Sequence, residues 1–179
     1  MGCDIHLYVE QKNLDSGEWE SQDVWEPDSY WEPCDDFVSG GKHPWTVPYR
    51  HEYYGDRDYR LFSYLADVRN YNSLRFLSNG RPKNHIESLP IRDFPADASA
   101  PVKAECERWE GDGHSHSWAT LKELEEYTYS EAISQAQLDL VDDGDVWVNT
   151  QWVNFIARMK IMAKKSSEEN IRIVFWFDN

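Results

Sequence analysis

Apolar and polar residues alternate at the start of the chain. Over residues 3–10 the alternation predicts a β-strand with one buried face and one polar face, and the polar face carries Asp4 and His6. Residues 171–177 are almost continuously apolar and rich in β-formers, which predicts a central strand. Residues 18–25 follow a turn and predict a second strand beside the first.

Apolar residues recur with helical spacing further along the chain. The predicted helices are 59–69, 99–109, one that begins at 120, 130–139 and 150–165. Asp58 and Ser99 are suited to cap the first two, and a Thr120-Leu-Lys-Glu capping box begins the third. Prolines and aromatic residues over 26–58, and turn-forming pairs over 70–97, predict long irregular segments.

The order of these elements is strand, strand, irregular excursion, several helices and a final strand, which predicts an α+β fold. The length of 179 residues suits a single domain over residues 1–179. We expect the first and last strands to pair in one small sheet packed by the helices. That pairing would bring the polar face of the first strand beside Arg172, Trp176 or Asp178.

Charge and cysteine content narrow the class of protein. A net charge of -15 argues against a nonspecific nucleic-acid binder, because neutralising phosphates requires a basic surface. The 3 cysteines lack C-x-x-C spacing, which fits a reducing cytosol and gives no disulfide framework. No stretch has the length of a membrane span and no apolar leader follows Met1, so we expect a cytoplasmic protein.

The strongest candidate for chemistry lies at residues 111–118. Two glycines flank Asp112, and His114 and His116 follow in what we interpret as a flexible loop entering a helix. With Asp4 and His6 these imidazoles make a ligand set suited to a divalent metal ion, with zinc as one candidate. Asp112 would orient a ligand or act as the catalytic base of a hydrolysis. The alternative is that each pair only hydrogen-bonds its neighbours.

A second candidate site combines arginine with aromatic residues, which together can hold a phosphate and stack a base. Its candidate ligand-binding residues are Arg50, Tyr54, Arg57, Arg81 and Trp118. The alternative is internal pairing of these arginines with Asp and Glu beneath a tyrosine-covered helix entry. Ser115 and Ser117 are further candidates, either as helix caps or as anion ligands.

Three segments carry a resemblance to a known family. MGCDIH at residues 1–6, GDGHSHSW at 111–118 and RIVFWFDN at 172–179 resemble a family of small bacteriophage-encoded proteins. The resemblance spans most of the chain and assigns no activity and no site residues. It implies a phage accessory role, such as countering a host defence that uses nucleotide signals, in the host cytoplasm.

Three functions are compatible with these patterns. The first is metal-dependent hydrolysis of a small phosphorylated or nucleotide-like molecule. The second is non-catalytic binding that sequesters a nucleotide immune signal. The third is inhibition of a host protein by an acidic mimic of nucleic acid. We expect a small nucleotide-like ligand as the direct partner, no nucleic acid or membrane, and self-association or a host protein as additional partners.

Overall fold

A computed structural model describes residues 2–28, 45–70, 86, 88–109, 111–126 and 150–179. Its strands are β1 (Asp4–Lys12), β2 (Trp19–Ser21), β3 (Glu26–Pro27), β4 (Trp45–Thr46), β5 (His114–Thr120) and β6 (Ile171–Asp178). Its helices are α1 (Tyr59–Ala66), α2 (Ala100–Arg108), α3 (Leu121–Glu126) and α4 (Thr150–Ala163), with 3-10 turns at Tyr49–His51 and Glu168–Asn170. This mixture confirms the predicted α+β fold. The helix predicted at 130–139 lies outside the described residues.

Within the described residues, four strands form one antiparallel sheet in the order β2-β1-β6-β5. The prediction that the first and last strands pair is confirmed, since β1 and β6 run side by side from Asp4 opposite Asp178 to Gln11 opposite Ile171. β6 is central, as its apolar composition predicted, because it also pairs with β5. β3 and β4 form a separate two-stranded pair.

Helices α1, α3 and α4 supply the core on one face of the sheet. Leu7 of β1 and Phe175 of β6 belong to this core, together with side chains from all three helices. Phe62 of α1 and Phe177 of β6 make an edge-to-face contact with ring centroids 5.0 Å apart. Burial of these large apolar side chains supplies the main driving force for folding.

The opposite face of the sheet is also covered, so Tyr8 and Glu10 of β1 are buried as well, where the alternation predicted a single buried face. Val102 of α2 and Val174 and Trp176 of β6 are fully buried in a second, aromatic core. Tyr8 of β1 stacks on Trp176 with centroids 5.1 Å apart. Tyr8 therefore lies on the face of β1 that the sequence pattern predicted to be polar, yet its ring is buried against α2.

A buried carboxylate explains how α2 begins. The backbone N–H of Ser99 donates to Oε1 of Glu10 at 2.6 Å, and the Ser99 side chain makes no capping bond. Ser99 therefore occupies the N-cap position, as predicted. Its backbone N–H donates to Glu10 of β1, while its own side chain caps nothing. This contact joins the start of α2 to β1.

The caps of α1 and α3 agree with the sequence. Asp58 accepts a hydrogen bond from the N–H of Arg60 at 3.0 Å. Thr120 and Glu123 bond to each other's backbone N–H groups, the reciprocal pattern of a capping box. α1 ends at Ala66 rather than residue 69 because Asp67 adopts a left-handed conformation with φ 58. β2 is also shorter than predicted.

None of the helices in the described ranges combines the length and apolar character needed to cross a membrane.

Candidate functional site

The central histidines lie on a strand. Residues 114–120 form β5 at the edge of the sheet, so their assignment to a flexible loop was wrong. Hydrogen bonding to the strongly apolar β6 decides this conformation, because β6 needs a partner on each side. The register shifts between His114, opposite Phe177, and Ser117, opposite Phe175, which marks a β-bulge.

The bulge directs the two imidazoles of β5 to opposite faces of the sheet. His114 stacks beside Phe177, with ring centroids 6.1 Å apart, and His116 stacks beside Trp176 at 6.0 Å. Successive residues of a strand point to opposite faces, so Trp176 and Phe177 lie on different sides of β6. The convergence of His114 and His116 that we expected is therefore not seen.

His6 shares its face of the sheet with His116. The His6 ring stacks on Trp176 at 5.6 Å, and Trp109 approaches it at 4.2 Å. Since β6 lies between β1 and β5, the Trp176 indole lies between the imidazoles of His6 and His116. The N-terminal strand and the distant histidine segment do meet at one end of the sheet, and an aromatic ring lies between them.

Asp178 joins the start of β1 to the end of β6. Nε2 of His6 lies 3.2 Å from Oδ2 of Asp178, and the backbone N–H of Asp4 donates to Oδ1 of Asp178 at 3.2 Å. The Asp4 carboxylate pairs with the Arg57 guanidinium, which lowers the pKa of Asp4. Asp4 therefore already has a cationic partner.

The predicted metal ligands lie at one end of the sheet without forming a compact cluster. Among the described residues, no group of three or more His, Cys, Asp or Glu side chains is arranged to hold a metal ion. Nε2 of His114 lies 3.0 Å from the Asn179 side chain. A divalent ion bound by all four ligands would displace Arg57 from Asp4 and Asn179 from His114, and the metal centre stays a prediction.

A groove of about 610 Å³ opens beside His116. It lies between β5, helix α2 and the segment that precedes α2. Its lining residues are Ile91, Arg92, Asp93, Phe94, Lys103, Cys106, Glu107, Ser115 and His116. The Phe94 ring meets the His116 ring edge to face at 6.3 Å. The lining thus combines the Phe94 and His116 rings with charged side chains, so the groove can contact both a flat ring and a charged group of a ligand.

Within the described part of the chain, Lys103 is the groove cation that remains available to a ligand. The Lys103 ammonium has no ion pair or hydrogen bond with another residue of the described ranges. Arg92 is paired with Glu123, and its guanidinium lies 4.4 Å from the centre of the Trp118 ring. As far as the described residues show, an anionic ligand can therefore pair with Lys103 without breaking another contact.

Burial shifts the pKa of two side chains in the groove, His116 and Cys106. Burial, and then the proximity of His114, lowers the pKa of His116, so its imidazole is neutral at pH 7. Burial and the neighbouring Glu107 and Glu105 raise the pKa of the Cys106 thiol to about 11. Cys106 is therefore a protonated, poorly nucleophilic thiol at neutral pH.

The two described arginines of the predicted phosphate site each pair with a carboxylate. Arg50 is paired with Glu26 at the surface, and Arg57 is paired with Asp4. Tyr54 is 2% exposed and packs edge-on against Trp152. The internal pairing that we considered as the alternative therefore describes both of these arginines.

The remaining predicted site residues have different surroundings. Trp118 borders the groove through its contact with Arg92. Asp112 is exposed in a turn, where its side chain contacts no other described residue through a hydrogen bond or ion pair. Arg81 lies outside the described residues.

Sequence reasoning missed the contribution of α2 to the groove. Lys103, Cys106 and Glu107 have the i, i+3, i+4 spacing of one helix face, which is the only local sign that they line a common surface. Phe94 comes from the segment before α2 and had no periodic signal. The meeting of these residues with His116 depends on the packing of α2 against the sheet.

Comparison of the chain with protein-family models, with curated proteins and with solved structures gave no match. The function is therefore inferred from the geometry of the site.

Proposed function

We propose that this protein binds a small molecule with a planar aromatic base and one phosphate group, such as a cyclic mononucleotide, in the groove beside His116. The observation that carries the proposal is the position of Lys103 and Phe94 in one groove of about 610 Å³. An ammonium without a competing partner can pair with a phosphate, and an aromatic edge can contact a base. The volume lies within the range of about 300–1,000 Å³ that is typical of small-molecule sites.

The neutral charge balance of the groove lining disfavours a ligand with several negative charges. Arg92 and Lys103 are balanced by the exposed carboxylates of Asp93 and Glu107. The chain as a whole has a net charge of -15, which repels polyanions such as nucleic acids and triphosphates. The single negative charge of a cyclic mononucleotide can pair with Lys103, so no charge of the ligand is left without a partner.

We favour binding over metal-dependent hydrolysis because the two functions require different rearrangements of the side chains. The groove accepts a ligand without rearrangement of its ion pairs, whereas the metal centre requires Asp4 and His114 to exchange partners. Sequestration of a nucleotide signal in the host cytoplasm suits the phage accessory role that the sequence resemblance implies. Such a role needs affinity for the ligand and no turnover.

Calorimetric titration with cyclic mononucleotides, linear nucleoside monophosphates and ADP-ribose tests the proposal. We expect the cyclic mononucleotides to bind, and Lys103→Glu to lower their affinity about tenfold or more through loss of a charged contact. Asp112→Ala is the matched control, since this exposed side chain is outside the groove lining, and it should leave the affinity unchanged. The proposal is wrong if no compound binds, or if the Lys103→Glu variant binds as well as the wild type.

The same titration distinguishes binder from enzyme. After incubation, the protein is denatured and the released compound is identified by mass spectrometry. Recovery of the unchanged nucleotide supports sequestration. Recovery of a hydrolysed product supports the hydrolase that the sequence first suggested.

A further inference from the structure

Four side chains form a hydrogen-bonded chain that ends in the groove. Nη2 of Arg69 lies 3.0 Å from Oδ1 of Asn179, and Nδ2 of Asn179 lies 3.0 Å from Nε2 of His114. Nδ1 of His114 lies 3.1 Å from Oγ of Ser115. We call this set the Arg69–Ser115 relay. Its last member lines the groove beside His116.

Arg69 sets the direction of every hydrogen bond in the relay. A guanidinium has donors and no acceptor, so the Asn179 atom that faces it is the carbonyl oxygen. The Asn179 amide nitrogen then donates to Nε2 of His114, which keeps a lone pair there. His114 in its neutral form therefore has its proton on Nδ1, and that N–H donates to Oγ of Ser115.

Ser115 is held at the groove by an unusual backbone conformation. Its φ of 52 lies in the left-handed region, within the bulge of β5. A non-glycine residue in this region is destabilised locally, and bulges commonly redirect a side chain at a site. Because the Ser115 oxygen already accepts a hydrogen bond from His114, its own proton is free to donate to a molecule in the groove.

We propose that Ser115 determines ligand specificity by donating its hydroxyl hydrogen to a phosphate oxygen. Arg69, Asn179 and His114 act as positioning residues that keep the Ser115 hydroxyl a donor. This inference rests on the proposed function and names the ligand atom that the groove recognises. The relay also makes His114 unsuited to activate Ser115 as a nucleophile, because Nδ1 already carries a proton.

The direction of the relay is measurable without any ligand. Long-range ¹H–¹⁵N spectra of ¹⁵N-histidine protein at pH 8 distinguish the two neutral tautomers, and His114→Gln identifies the His114 signals by their loss. We expect the proton on Nδ1 in the wild type. Asn179→Asp replaces the amide donor by an acceptor and should move the proton to Nε2. A wild-type His114 with its proton on Nε2 would overturn the inference.

The ligand half of the inference is tested with a cyclic mononucleotide and its parent nucleoside. Ser115→Ala should lower the affinity for the nucleotide about tenfold and leave binding of the nucleoside unchanged, because only the nucleotide has the phosphate acceptor. Ser115→Gly also removes the hydroxyl while relieving the positive φ, and should give the same loss. Equal affinity of the wild type and both variants for the nucleotide overturns the inference.

The two measurements separate this inference from the proposed function. If the nucleotide binds and His114 has its proton on Nε2, the groove function stands and the relay is wrong. If no probe binds the wild type, the proposed function fails and the role of Ser115 in specificity fails with it. The tautomer of His114 in the free protein is unaffected by that outcome.

Discussion

Arg172 and Glu10 form a buried ion pair within the sheet, with Nε of Arg172 2.8 Å from Oε2 of Glu10. The two residues are 1% and 0% exposed. Nη1 of Arg172 also donates to Oδ1 of Asp97 at 2.8 Å, and its guanidinium lies 4.0 Å from the centre of the Trp19 ring. These contacts satisfy a charge that would otherwise be costly to bury, and they tie β6 to β1 and to the segment before α2.

Removal of one partner of this ion pair should strongly destabilise the protein. Arg172→Met keeps most of the side-chain volume and leaves the Glu10 carboxylate buried without its cation. We expect a loss of about 3–5 kcal/mol in the free energy of unfolding, measured by urea denaturation. Lys122→Met, which breaks the exposed pair with Glu169, is the control and should leave the urea midpoint unchanged.

The double variant Glu10→Gln/Arg172→Met tests whether the charges, rather than the packing, cause this effect. Gln keeps an acceptor for the Ser99 N–H and carries no charge to bury. We expect the double variant to be more stable than Arg172→Met alone. If the double variant is no more stable than Arg172→Met, the loss of stability is caused by lost packing and not by the unpaired charge.

Asp23 should make stability depend on pH in the direction opposite to most carboxylates. Burial raises its pKa to about 7, despite hydrogen bonds from the Val9 N–H and Ser21 hydroxyl. In the unfolded chain this carboxyl loses its proton at about pH 4. In the folded protein it keeps the proton up to about pH 7. The stabilisation from protonated Asp23 is therefore complete below about pH 4 and is lost as pH rises through 7.

The variant Asp23→Asn isolates this contribution, because the amide keeps an acceptor for the Val9 N–H and does not titrate. Urea denaturation from pH 4 to pH 8 gives the free energy of unfolding of both proteins. We expect the wild type to lose stability relative to the variant as the pH rises. A difference that stays constant with pH would show that Asp23 has an ordinary pKa.

Protonation of His116 should strengthen the binding of an anionic ligand. Because burial lowers the pKa of His116, the groove gains this positive charge only in acid. We expect the affinity for a cyclic mononucleotide, whose phosphodiester keeps one charge, to rise as the pH falls from 8 to 5. Calorimetry of His116→Gln, which has no titrating ring, should show a weaker rise. Equal profiles would place the ligand away from His116.

Gly113 should be required for the position of His116. A Cβ at this position would lie 3.1 Å from the carbonyl oxygen of Trp109 and 3.3 Å from Nε2 of His116 and Cδ1 of Trp176. We expect Gly113→Ala to cost about 1–3 kcal/mol in stability through this crowding, and to weaken nucleotide binding. Asp112→Ala in the same turn is the control for both measurements. Normal binding by Gly113→Ala would indicate that His116 does not contact the ligand.

Metal analysis decides the hypothesis that first came from the histidine pattern. A centre built from Asp4, His6, His114 and His116 requires one divalent ion per chain, measured by elemental analysis of protein purified without a metal-affinity column. That ion should be lost from both His6→Ala and His114→Ala. A protein that holds no ion after incubation with zinc and gel filtration would show the hypothesis to be wrong.

Local patterns predicted most of the secondary structure. The period of two over residues 3–10, the apolar run at 171–177 and the capping box at Thr120 each act between residues that are close in sequence, so they are visible in it. No such signal marks β5, because the residues from His114 to Thr120 do not alternate between apolar and polar. Its strand conformation depends on pairing with β6, which is distant in sequence.

The chain alone thus determined the α+β class, the central position of the last strand and its pairing with the first, because long apolar runs must be buried and strands must pair. Only the tertiary structure decided where the site chemistry lies. The bulge at Ser115 sends His114 and His116 to opposite faces, and α2 brings Lys103 beside His116. These relationships join segments that are distant in sequence, and they depend on register and helix packing, for which no local residue pattern exists.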